Sequence, residues 1–83
     1  MYRIYINPSA RKDLDYFDKK LFTQIKNKIV SLASDPRPPN CLKLTTTEGY
    51  RIRSGDYRIL YRIDDKNKII YIYRIKHRKE SYR

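Results

Sequence analysis

From Tyr50 onward the chain reads in twos. Tyr50 and Ile52 alternate with Arg51 and Arg53, and after a turn at Ser54-Gly55, Tyr57, Ile59, Tyr61 and Ile63 alternate with Arg58, Leu60 and Arg62. A strand sends successive side chains to opposite faces, so this pattern predicts strands that are apolar on one face and basic on the other. Asp64-Asp65-Lys66-Asn67 supplies a second turn, and Lys68 to Ile75 is a dense β-branched and aromatic run suited to an interior strand. Two consecutive turns of this kind specify an antiparallel meander.

The first half is built differently. Tyr2, Ile4 and Ile6 alternate with Arg3 and Tyr5 and predict an opening strand, which Asn7-Pro8 stops. Leu14, Phe17, Leu21, Ile25, Ile29 and Leu32 then recur at spacings of three and four, the period of one helical face, with Ser9 as the expected cap. Ser9 to Ser34 is long for one helix on so small a body, and Asp18-Lys19-Lys20 is the expected break, giving a helical hairpin. Asp35-Pro36-Arg37-Pro38-Pro39-Asn40 ends it, because proline carries no amide hydrogen to donate. Cys41 to Gly49 shows no period and reads as a loop. The expected fold is α+β, in the order β-α-α-β-β-β: an antiparallel sheet, helices packed on one face, and a concave basic face opposite.

Composition narrows the partners. The 83 residues suit a single domain spanning positions 1–83, with a net charge of +11. Nine basic and five acidic residues lie up to Tyr50, against eleven and four after it, so the positive field concentrates on the sheet. Such a field attracts polyanions, nucleic acid first. A spanning helix is excluded, since the longest apolar or aromatic run is Ile69 to Tyr73. The opening residues lack the order of a secretory signal, and the expected location is cytoplasmic. One cysteine, Cys41, makes no intramolecular disulfide, and one histidine gives no basis for a zinc site, so neither metal nor cofactor is expected. Arg51, Arg53, Arg58 and Arg62 would repel one another unless an anion sits among them. The strand tyrosines are read mainly as packing residues.

The run Gly49-Tyr50-Arg51-Ile52-Arg53-Ser54-Gly55-Asp56-Tyr57-Arg58-Ile59-Leu60-Tyr61, followed by Ile75-Lys76-His77-Arg78-Lys79-Glu80-Ser81-Tyr82-Arg83, resembles the RelE/ParE superfamily of type II toxin–antitoxin toxins. The RelE branch of that superfamily consists of ribosome-dependent mRNA interferases. The resemblance implies cleavage of A-site mRNA by attack of a ribose 2′-hydroxyl on the adjacent phosphate, leaving a 2′,3′-cyclic phosphate, with no metal. By motif, Arg51 and Arg53 stand where the best-known member has two lysines. Arg58 falls on the phosphate-stabilising arginine, Arg78 on the second catalytic arginine and Tyr82 on the base-stacking tyrosine. Arginine cannot serve as a general base at neutral pH, which turns attention to His77, with Glu48 second. Arg51, Arg53, Arg62, Lys76, Lys79 and Arg83 are the expected RNA and rRNA contacts. A RelB-like antitoxin in a heteromeric complex, and the ribosome with its mRNA and rRNA, are the implied partners. Two alternatives remain open: a ParE-like inhibitor of DNA gyrase with the same fold and no nuclease activity, or a non-catalytic basic RNA-binding module.

Overall fold

The computed structural model describes residues 1–45 and 47–79. Strand β1 (Arg3–Ile6) leads into helix α1 (Pro8–Asp15) and helix α2 (Lys19–Ser31). The short β2 (Leu42–Lys43) is followed by β3 (Tyr50–Ser54), β4 (Tyr57–Asp64) and β5 (Ile69–His77). The five strands form one sheet in the order β1-β5-β4-β3-β2. No helix among the described residues is long and apolar enough to cross a membrane.

The α+β architecture and the β3-β4-β5 meander agree with the sequence reading, and four details differ. The sheet is mixed, because β1 runs parallel to β5, with Arg3 opposite Ile69 and Ile6 opposite Ile72. Local turns dictate antiparallel neighbours, but β1 is joined to β5 through the helices, β2 and the meander rather than by a hairpin, so nothing local forces that pair antiparallel. Helix α1 starts at Pro8, with Asn7 at the N-cap and no side-chain capping bond, so Ser9 is not the cap. Proline's fixed φ and missing amide hydrogen suit the first helical position. The helical break falls at Tyr16-Phe17-Asp18, where Asp18 caps α2 by accepting a 2.8 Å bond from the Leu21 amide, leaving Lys19 and Lys20 inside the helix. Within the stretch read as loop, Leu42 and Lys43 pair with Arg51 and Tyr50. Two residues are too few to show a period.

Ala10, Ile25, Ile29 and Leu32 from the helical half meet Ile52, Ile59, Tyr61, Ile70, Ile72 and Ile75 from the sheet in one buried cluster. Both helices therefore cover the same face. Gly49 lies beside the strand carbonyl of Tyr61 with φ of +129°, and a Cβ there would stand 2.7 Å from that oxygen, so a residue without a side chain is required.

A bulge in β5 decides which side chains reach which face. Leu60 pairs with Arg74 but Tyr61 pairs with Ile72, so Tyr73 is an extra residue on β5. Uninterrupted alternation from Ile70 and Ile72 would send Lys76 to the helix side and His77 to the open side. The extra residue inverts the phase, so Ile75 joins the core while Lys76 sits opposite Arg58 and His77 opposite Tyr57.

Candidate functional site

The helix-free face carries a row of cations across three strands. Arg53 on β3 stands directly opposite Arg58 on β4, which stands opposite Lys76 on β5. Arg51 lies two residues from Arg53 on the same face, opposite Leu60. A cleft of about 400 Å³ opens here, lined by Asn40, Leu42, Arg51, Ile52, Arg53 and Arg58.

Arg58 is the unusual member, with only 8% of its surface exposed. A buried guanidinium is costly unless its hydrogen atoms are occupied, and it is most effective electrostatically where water is thin. Its Nη1 donates to the Arg78 carbonyl at 3.4 Å. The Arg78 amide in turn donates to the Asp56 carbonyl at 2.8 Å, prolonging the β4–β5 pairing and holding Arg78 beside the β3–β4 turn. Arg78 Nε also faces Asp56 Oδ1 at 3.9 Å, but both side chains are more than half exposed, so that ion pair adds little. Arg53, Arg58, Lys76 and the Arg78 backbone thus converge at one end of the sheet.

Other candidates lie elsewhere. His77 is on the helix side: its ring meets Tyr57 edge to face at 5.1 Å, and it shares a small cleft with Asp13, Tyr16, Phe17 and Ile75. Its Nδ1 accepts a 3.2 Å bond from the Lys79 amide, so the imidazole closes the turn that begins the tail. The bulge separates it from Arg58, which the tail sequence alone could not show. Glu48 and Arg62 line a different cleft, with Arg37, Lys43, Tyr50 and Asp65, near the far end of β4. The four strand arginines therefore do not form one cluster. Arg51, Arg53 and Arg58 share a cleft, whereas the Arg62 guanidinium lies 4.5 Å over the Tyr71 ring. Lys79 is exposed, and Tyr82 and Arg83 lie outside the described residues.

Sequence reasoning missed the cleft's outer wall. Asn40 and Leu42 reach the cleft because the segment after α2 is pinned at three points. Arg37 pairs bidentately with Asp65, at 2.8 and 3.2 Å, and donates to the Tyr50 hydroxyl at 3.1 Å, while Tyr61 donates to the Pro36 carbonyl at 2.7 Å. Tyr2 donates a further 2.6 Å bond to Asp65. The Arg37 and Tyr2 bonds lower the Asp65 carboxyl to about 2, and the Asp65 carboxylate raises Arg37 in return. Burial pushes the Tyr61 phenol up, keeping it a neutral donor. No periodicity marks these contacts, which span 13 to 63 residues of sequence.

A two-layer α+β fold with a basic, helix-free sheet face is the architecture of a RelE/ParE-type toxin, and the chain belongs to that family: the model of the ParE toxin of type II toxin–antitoxin systems matches residues 4–82. Among individual relatives, it is 30% identical over 84 residues to Toxin RelG of Mycobacterium tuberculosis, covering 99% of this chain and 97% of that protein. A chain in the crystal structure of the M. tuberculosis RelBE2 toxin–antitoxin complex superposes with a TM-score of 0.82 at 26% identity, over 92% of this chain and 96% of the other. One in the archaeal RelE–RelB complex of Pyrococcus horikoshii gives 0.78 at 30% identity, over 93% and 94%. The resemblance drawn from the two C-terminal motifs is upheld, and the protein is a type II toxin of the RelE/ParE superfamily.

Proposed function

We propose that this toxin is a metal-independent endoribonuclease that cuts mRNA in the ribosomal A site and so arrests translation in the cytoplasm. The observation that carries this reading is the buried Arg58 flanked in register by Arg53 and Lys76, with Arg78 tied alongside. A purely electrostatic RNA-binding face would gain nothing from burying one of its cations. A site that must stabilise charge developing on a phosphoryl group gains a great deal, because preorganised donors in a water-poor setting act without reorganisation.

In this reading Arg53, Arg58 and Arg78 seat the scissile phosphate, and Arg51 holds the strand by a neighbouring phosphate. The 2′-oxygen forms a bond to phosphorus as the bond to the 5′-oxygen breaks, giving a 2′,3′-cyclic phosphate and a 5′-hydroxyl. The extra negative charge of the pentavalent phosphorus falls on the oxygens that face Arg58 and Arg53. No arginine takes the 2′-hydroxyl proton, and His77, on the opposite face, is out of reach, so one water carries that proton away and another water protonates the leaving 5′-oxygen. Tyr82 keeps the base-stacking role that its motif implies, and Lys76, Lys79, Arg62 and Arg83 contact RNA backbone. The partner is a RelB-like antitoxin in a heteromeric complex, the kind of assembly in which its structural relatives were crystallised, and an acidic antitoxin segment covers the basic cleft.

Primer extension on ribosomes programmed with a defined message tests this. In-frame cuts at the A-site codon, lost in Arg58→Met, are the expected result. Intact message together with gyrase-dependent DNA breaks would replace this reading with the gyrase-directed one. Intact message with tight RNA binding would replace it with the non-catalytic module.

A further inference from the structure

The open sheet face carries a second arrangement away from the arginine cleft. Tyr5 on β1 pairs with Tyr71 on β5, which pairs with Arg62 on β4, so the three form a single row across adjacent strands. The two rings meet edge to face at 5.7 Å and 68°, and the Arg62 guanidinium lies over Tyr71 at 4.5 Å. Tyr5 is 52% exposed, and Arg62 is exposed as well. Ile4 and Ile6, the neighbours of Tyr5 in β1, turn inward to the core, so the row sits on the face that neither helix covers.

We infer that the Tyr5–Tyr71–Arg62 row is a stacking seat for a base of the single-stranded RNA whose phosphate occupies the Arg53–Arg58 cleft. This rests on the nuclease reading for the identity of the strand. Aromatic rings and guanidinium planes are the two surfaces on which unpaired bases stack, and here one is layered on the other. Tyr71 backs the guanidinium, Tyr5 meets Tyr71 edge to face, and Arg62 offers its outer side together with a charge for the adjacent phosphate. The path between the two sites is continuous. Arg58, Leu60 and Arg62 alternate along one face of β4, so the row lies four residues, or ~13 Å, from Arg58. At ~3.4 Å per stacked nucleotide this is the reach of about four nucleotides, and fewer in an extended strand. A strand held at both points would thread the sheet face in a fixed register, placing one chosen phosphate at Arg58.

The test uses the full chain and fluorescein-labelled oligoribonucleotides that are 2′-O-methylated throughout and so cannot be cut, followed by anisotropy. Tyr5→Ala, Arg62→Ala and Tyr71→Ala should each weaken binding of an octamer by roughly 5- to 100-fold, and binding of a dinucleotide, which spans the cleft alone, should not change. Tyr71→Phe should restore octamer binding, separating stacking from strand integrity, and Tyr5→Ala alters only an exposed edge residue. Octamer affinity within twofold of wild type in both Tyr5→Ala and Arg62→Ala would overturn the inference, as would loss of antitoxin binding in those variants with RNA binding intact. Neither outcome touches the nuclease reading, which stands or falls on A-site cleavage by the wild-type chain. On ribosomes, a Tyr71→Ala defect that disappears when the message ends at the A-site codon identifies the stacked base as mRNA. A defect that persists on the truncated message places the contact on rRNA and overturns the inference, because that base does not belong to the strand held at Arg58.

Discussion

Replacing Arg58 with methionine separates the chemistry of this site from its architecture. Methionine keeps an unbranched apolar stem where Arg58 lies 92% buried, so no large cavity forms, and only the charge and donors disappear. On stability two effects oppose each other. Guanidinium groups ~7 Å apart, as directly opposed strand positions allow, repel by ~0.6 kcal/mol in water and ~2.4 kcal/mol at an effective dielectric of ~20. Removing the charge relieves this strain against Arg53, and a similar one against Lys76. Against that stands the loss of the 3.4 Å bond to the Arg78 carbonyl and the remaining polar contacts of Arg58, about 1 kcal/mol for an ordinary hydrogen bond. The relieved repulsion offsets most of this loss, so any net destabilisation should stay within about 1 kcal/mol, which for a chain of this size is a loss of no more than ~4–8 °C in Tm. Activity should respond differently: losing one preorganised donor to a transition-state oxyanion typically costs ~10²–10³ in rate. The assay is single-turnover cleavage on programmed ribosomes, with thermal melts followed by circular dichroism. Cleavage within tenfold of wild type would refute the phosphate-stabilising role. A loss of Tm well beyond 8 °C would show instead that Arg58 is a structural keystone and that its burial serves the fold.

His77→Ala should leave single-turnover cleavage near wild type, and a loss of more than tenfold would restore His77 as the base. Tyr61→Phe removes the hydroxyl that holds the Pro36 carbonyl, so a stability loss of about 1–3 kcal/mol is expected by denaturant titration, with weaker cleavage because the Asn40–Leu42 wall loosens. The Asp65 carboxyl is held at about 2 in the folded chain against an ordinary 3.8, so its contribution is complete above pH 4 and disappears as pH falls towards 2. Asp65→Asn should therefore be less stable than wild type at neutral pH, and the gap should close through that acid window in pH-dependent melts.

Much of the fold was legible because local periodicity and turn chemistry are local facts. The alternation of Tyr50, Ile52, Ile59 and Tyr61 with arginines identified the two faces of β3 and β4, and the proline cluster after Asp35 ended the helical half. Pairing across the sheet was less legible. The parallel return of β1 onto β5 and the two-residue β2 depend on partners far along the chain, with no period to announce them. The same limit applied to the site. Arg51, Arg53 and Arg58 were found by strand phase, but Asn40 and Leu42 were not, because only the Arg37–Asp65 and Tyr61–Pro36 contacts bring them there.

The sequence alone determined that this chain builds a basic, tyrosine-rich meander with an apolar back, and its C-terminal motifs sufficed to place it in the RelE/ParE superfamily. Tertiary structure decided which cations share a phosphate-sized space. One extra residue, Tyr73, inverts the phase of β5, bringing Lys76 to Arg58 and carrying His77, adjacent to Arg78 in sequence, to the other side of the sheet. Strand period is two, so a single inserted residue exchanges the faces of everything beyond it, and whether a bulge forms is settled by the neighbouring strand's register.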